Sequence, residues 1–259
     1  MRVLLTLVCL FALPLRAAAE PEEDSSRYFP LSEGREWEYS LVKDRVTREP
    51  GEHKMLKIKG TVTETVVGPS LLLERRPPAY QLKVVLHETV GDLGVEFDAT
   101  YLQHVSADGT YVLLHALQPV VEGQEAPPKP KVDELGAVVY QLVEPPDSVD
   151  GYHRVTVLGT EFDLRTTDDR LDAVQTPAGS FDGCLKIVQK GDVRGTVPGD
   201  RPMKIINGTL ERTSWFAPGV GLVRQTHVME LVVERSAEDF VHISDELDKT
   251  LVRYTAPQP

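Results

Sequence analysis

Apolar and polar side chains exchange places at every second position along much of this chain, and that alternation constrains the fold most. Trp37, Tyr39 and Leu41 alternate with Glu36, Glu38 and Ser40. Leu56, Ile58 and Val62 interleave with Lys57, Lys59, Thr61 and Thr63. Leu185 and Ile187 share one parity, while Cys184, Lys186 and Val188 share the other. A period of two places one set of side chains on each face of a strand. Nineteen glycines and nineteen prolines punctuate these runs, which favours many short strands over long helices. The pattern predicts an all-β protein with antiparallel strands in a curved sandwich or open barrel, and few or no long helices. Its 259 residues and 41% hydrophobic content are enough to build a core.

Turn signals divide the chain further. Gly68-Pro69 predicts a turn, with Leu71-Leu72-Leu73 opening the next strand and Arg75-Arg76-Pro77-Pro78 ending it. Tyr80 to Val90 reads as another strand. Asp108-Gly109 predicts a two-residue hairpin within Val95 to Leu117, pairing His104 with Leu113 and Leu102 with His115. Gln118 to Glu134 carries four prolines among polar residues, which marks a long loop or a subdomain boundary. Val138 to Val143, Tyr152 to Leu158 and Thr160 to Thr166 read as short strands separated by Pro145-Pro146 and Gly159. Pro177 with Gly179, and Pro218-Gly219 with Gly221, predict two tight corners. Trp215, beside the second corner, is expected to anchor it to the strand at Cys184 to Val188. Asn207-Gly208 reads as a hairpin turn between Ile206 and Leu210. Glu238 to Tyr254 fits a helical stripe and a strand about equally, with a strand favoured at Leu251 to Tyr254.

The N-terminus has the form of an export signal. Arg2 supplies a positive start, Val3 to Leu15 an apolar run, and Ala17-Ala18-Ala19 a cleavage site, so residues 1–19 read as a signal peptide. The apolar run is shorter than the roughly 20 residues a spanning helix needs, and no transmembrane segment is expected in the mature chain. Cleavage near Ala19 places the protein in the periplasm, cell envelope or medium. A polar lead at residues 20–26 precedes a β-rich domain over residues 27–256. Loss of Arg2 and Arg16 takes the formal charge from −12 to −14, and no basic stripe is present. Nucleic acid is therefore not an expected partner. The mature chain keeps one cysteine, Cys184, so no internal disulfide is expected.

No catalytic constellation emerges. Gly179-Ser180-Phe181-Asp182-Gly183 lacks the spacing of a nucleophile elbow, and His87-Glu88 lacks the second histidine of a zinc protease. Asp168, Asp169 and Asp172 lack calcium-loop spacing and read as a solvated turn. His104 and His115 fall on one face of their hairpin and are the metal candidates, although a metal would need a third ligand. Otherwise they read as polar residues on a partly solvated face. Cys184 reads as a core thiol. Trp37, Tyr39, Trp215 and Phe216 are the ligand-binding candidates, because an exposed aromatic face suits a sugar or an apolar ligand. The same rings serve as core anchors if buried. No cofactor is indicated.

Three segments carry a resemblance. Tyr28-Phe29-Pro30-Leu31 with Gly34, Trp37 and Tyr39 comes first. Thr176-Pro177-Ala178-Gly179-Ser180-Phe181 followed by Cys184-Leu185-Lys186-Ile187 is the second, and Trp215 to Val223 the third. Their order and spacing resemble the TapB-like group of secreted bacterial β-rich proteins. The resemblance implies a β-rich extracytoplasmic domain and brings no catalytic residues. The expected function is a non-catalytic, envelope-associated binding or structural module for an apolar or carbohydrate ligand, or for an envelope component. The alternative is a hydrolase whose carboxylates or histidines meet only in three dimensions.

Overall fold

A computed structural model describes residues 27–72, 78–91, 94–107, 111–120, 137–142, 152–157, 159–197, 202–236 and 239–256. Among them are twelve strands and no helix longer than a turn. The first six are β1 (Glu36–Glu49), β2 (Glu52–Pro69), β3 (Tyr80–Val90), β4 (Val95–Ala107), β5 (Tyr111–Val120) and β6 (Ala137–Gln141). The second six are β7 (Tyr152–Val157), β8 (Thr160–Thr176), β9 (Gly179–Val197), β10 (Met203–Ala217), β11 (Gly221–Ser236) and β12 (Asp239–Thr255). All pair antiparallel in one sheet of order β6-β5-β4-β3-β2-β1-β12-β11-β10-β9-β8-β7. The sheet curls into a nearly closed barrel with β6 and β7 as its edges.

Registry explains where the core lies. Tyr39 pairs with Leu251 on one side and Val62 on the other, and Val62 pairs with Leu86. These residues share the concave face. One apolar cluster gathers Trp37, Tyr39, Val62, Leu82, Leu185, Phe216 and Leu251. A second gathers Leu164, Val193, Leu210, Leu231, Val241 and Ile243 further along the same face of β8 to β12. Edge strand β6 reaches across the barrel. Its Tyr140 meets the Phe216 ring edge-on at 4.9 Å, and its phenol oxygen accepts a hydrogen bond from Gln225 at 2.9 Å.

Several expectations need correction. The strands are long, up to 19 residues, because glycines are accommodated inside them: in β9, Gly183 lies at a bulge while Gly191 pairs in register with Leu164 and Leu210. Leu71 and Leu72 lie in a turn, with Leu71 97% exposed; Ser70 N–H donates to Ala79 O and closes the connection from β2 to β3. Asn207-Gly208 is not a turn but part of β10, next to a register shift. Gly208 is needed there for close approach, since a Cβ would stand 2.7 Å from the Val193 carbonyl oxygen. The β4–β5 register is also displaced. Ala107 pairs with Val112 and not with Thr110, and His104 pairs with Ala116, next to a bulge. Asp168, Asp169 and Asp172 lie within β8, at positions set by two bulges, rather than in a turn. The ambiguous C-terminal stretch is strand β12, because both of its edges find partners, in β1 and β11. Gln118 to Val120, expected to open the proline-rich loop, instead end β5. The signal peptide, the 20–26 lead, Asp108-Gly109, Leu73 to Pro77, Pro145-Pro146 and residues 121–134 of the proline-rich loop lie outside the described residues.

Candidate ligand-binding site

Between the two apolar clusters the concave face turns polar. The pairings place Thr166, Gln189, Arg212, His227, Leu247, Lys43 and Ile58 in one row across β8, β9, β10, β11, β12, β1 and β2. The next row contains His153, Leu164, Gly191, Leu210, Met229, Asp245, Arg45 and Leu56. On the other side, Ser214, Gln225 and Lys249 continue the polar band.

One half of the band is electrically satisfied. Asp245, only 1% exposed, accepts two hydrogen bonds from Arg45 at 2.7 Å, and Lys43 stands 3.5 Å away. Burial would raise the Asp245 pKa, but Arg45 and Lys43 outweigh it and hold the carboxyl below its ordinary value. Lys249 pairs with Glu64 and lies over the Tyr39 ring, 4.0 Å from its centre. His227 is pushed down to about 4 by burial, with Lys43 and Arg212 adding to the effect against Asp245.

The other half is not balanced. Arg212 is half-buried and has no carboxylate partner among the described residues. Its guanidinium donates to Gln189 Oε1 at 2.6 and 3.1 Å and to the Val139 carbonyl at 3.1 Å. It also lies over the Tyr140 ring at 4.5 Å. All of these partners are neutral. They orient the group without neutralising it, and a partly desolvated guanidinium so held is suited to a carboxylate or phosphate. Burial, then Arg212 itself, lowers the His153 pKa, so that this neighbour adds no second positive charge beside the guanidinium. Half-buried apolar side chains, Leu56, Leu86, Tyr101, Met229 and Leu247, share the concave face with it.

The aromatic candidates separate. Trp37 and Tyr39 are buried, and each ties β1 to the corner before β11. Trp37 Nε1 donates to Val220 O at 2.6 Å, and Tyr39 Oη to Leu222 O at 3.1 Å. Phe216 is fully buried. Trp215 is partly buried on the opposite face of β10, between Lys186 and Arg224, each 5.6 Å from its ring. It touches β9 as expected, but the corner's carbonyls are held by Trp37 and Tyr39 instead.

His104 and His115 are both 2% exposed, a burial that the partly solvated reading did not anticipate. His104 Nδ1 bonds Ser70 Oγ at 2.8 Å and His115 Nε2 bonds Ser106 Oγ at 2.9 Å. Burial, then the nearby His115, lowers the His104 pKa. No three metal-ligating side chains come together among the described residues. Sequence inspection missed Arg212, Gln189, Tyr140 and Gln225. Arg212 sits among Glu211, Thr213 and Ser214 in a segment without apolar alternation, and only the pairing of β10 with β9 reveals its inward parity.

No family model and no curated protein matches the chain. Three solved structures do. A protein described as a lipoprotein of Parabacteroides distasonis is 15% identical, with 90% of this chain and 100% of that one covered, at a TM-score of 0.34. A protein described as exported, with a YmcC-like fold, from Bacteroides fragilis is 16% identical, with 88% and 99% covered, at 0.32. The S-type phycobiliprotein lyase CPES of Guillardia theta is 9% identical, with 85% and 88% covered, at 0.34.

Proposed function

We propose that this protein is an exported, non-catalytic binding module that holds an amphipathic carboxylate inside its barrel, with the anionic end on Arg212. The observation that carries this reading is the inward arginine held by neutral acceptors alone. An arginine turned toward a protein interior ordinarily has a carboxylate beside it, as the partly exposed Arg45 has Asp245. The half-buried Leu247, Leu56 and Leu86 suit an apolar body better than a sugar. The apolar run before Ala17-Ala18-Ala19 supports export, in keeping with the resemblance to the TapB-like group. The hydrolase alternative gains no support from the His–carboxylate contact between His87 and Asp98, which is exposed on the convex face.

Dodecanoate, titrated by calorimetry, tests the reading. Arg212→Gln removes the cation but keeps a side chain able to hydrogen-bond Val139 O. A charged hydrogen bond contributes about 1.5–3 kcal/mol, so affinity should fall by roughly tenfold or more. Equal binding by both proteins, or no binding by the parent, refutes the proposal.

A further inference from the structure

The row that carries Arg212 does not end at Gln189. Its next member is Thr166 on β8, and His153 on β7 is the diagonal neighbour, opposite Leu164. Both side chains are more than nine-tenths buried on the concave face, at 8% and 4% exposure. Thr166 Oγ1 and His153 Nε2 have no hydrogen-bond partner among the described residues. Buried polar atoms are nearly always paired, so two orphans side by side in one wall point to a group that pairs with both. Because Arg212 reaches back to Gln189, its guanidinium lies over the strand adjacent to Thr166. An anion on Arg212 would then sit about one strand spacing, roughly 4.8 Å, from the threonine's strand.

We infer that Thr166 and His153 form a hydroxyl-reading subsite beside Arg212, selecting a carboxylate that carries a hydroxyl near its acid end, such as a 3-hydroxy fatty acid. A hydroxyl suits the pair because it donates and accepts at once. Thr166 Oγ1 can do either, and a neutral imidazole nitrogen accepts or donates according to its tautomer. Carboxylate alone would satisfy Arg212 and leave both orphans unpaired. This inference rests on the Arg212 reading above and adds the ligand's second polar group.

The test compares dodecanoate with 3-hydroxydodecanoate on the parent protein, Thr166→Val and His153→Asn, with melting curves to confirm folding. The parent should prefer the hydroxy acid by about fivefold to tenfold, the size of one net hydrogen bond. Thr166→Val, nearly isosteric, should lose that preference while binding dodecanoate as before. His153→Asn should reduce the preference, and serves as the readout if the valine variant does not fold. Equal parent affinity for the two acids, or a preference that survives in the folded Thr166→Val variant, overturns the subsite and leaves the Arg212 reading standing. Binding of neither acid overturns the Arg212 reading and the subsite with it.

Discussion

Replacing Trp37 by phenylalanine should destabilise the protein far more than the same replacement at Trp215. Trp37 is 2% exposed, and its indole nitrogen is the donor to Val220 O. Gly221, with φ of 105°, lies so close to the indole that a Cβ there would stand 3.3 Å from that nitrogen. Phenylalanine leaves the buried carbonyl without its donor, at a cost of about 1–3 kcal/mol. The smaller ring adds about 1 kcal/mol for the space left behind. The total is about 3 kcal/mol, or a fall of roughly 6–12 °C in Tm for a chain of this size. Trp215 is partly exposed, its indole nitrogen makes no hydrogen bond among the described residues, and a phenyl ring can still lie between Lys186 and Arg224. Its replacement should cost under about 1 kcal/mol. Because each variant retains one tryptophan, circular dichroism sets Tm while fluorescence follows the remaining indole. If Trp215→Phe proves as damaging as Trp37→Phe, the assignment of the corner's anchor is wrong.

Three further outcomes are expected. With His227 held near 4 in the fold against about 6.5 unfolded, the unfolded chain takes up the proton first, so stability should fall as pH drops from about 6.5 to 4, by about 3 kcal/mol at most. His227→Gln should flatten that part of a urea-unfolding pH profile, and an unchanged slope would exclude His227 as its source. Asp245→Asn leaves Lys43 and Arg45 without their buried carboxylate and should cost about 3–5 kcal/mol in chemical denaturation; a loss below 1 kcal/mol would show that solvent already screens the cluster. Cys184 is fully buried, and burial, then Asp172, raises its thiol pKa to about 11. It should resist iodoacetamide at pH 8 in the native state, and Cys184→Ala should cost about 1–2 kcal/mol; rapid native labelling would contradict this.

Strand identity was largely legible in the sequence because one-sided burial writes itself as alternation. Trp37-Tyr39-Leu41 and Leu185-Ile187 show it clearly, and both runs point inward. The polar band was not legible for the same reason. Where Lys43, Arg45, Gln189, Arg212 and Asp245 face inward, the alternation of polarity disappears although the alternation of direction continues. Bulges added a second difficulty. The shifts between His104 and Val105 and between Ile205 and Asn207 change register without a marker in composition. Asn207-Gly208 misled because glycine serves close strand approach as readily as a turn.

The sheet order has a consequence for how the chain must fold. Each strand pairs with its sequence neighbours except that β6 and β7 stand at opposite edges, and at the middle β1 meets β12. Two six-strand meanders can each form from local pairings, and the seam between them joins residues about as distant as the chain allows, such as Glu36 with Thr255. That single junction raises the mean sequence separation of contacts, the quantity that slows folding in two-state proteins. Glu36 and Thr255 are already side by side, so linking the end of β12 to the segment ahead of β1, with Tyr28 and Leu31 kept in the core, and opening the chain between β6 and β7 would yield one uninterrupted meander. The same barrel would then be encoded with nearest-neighbour pairings alone, and such a circular permutant should refold faster than its parent at similar stability.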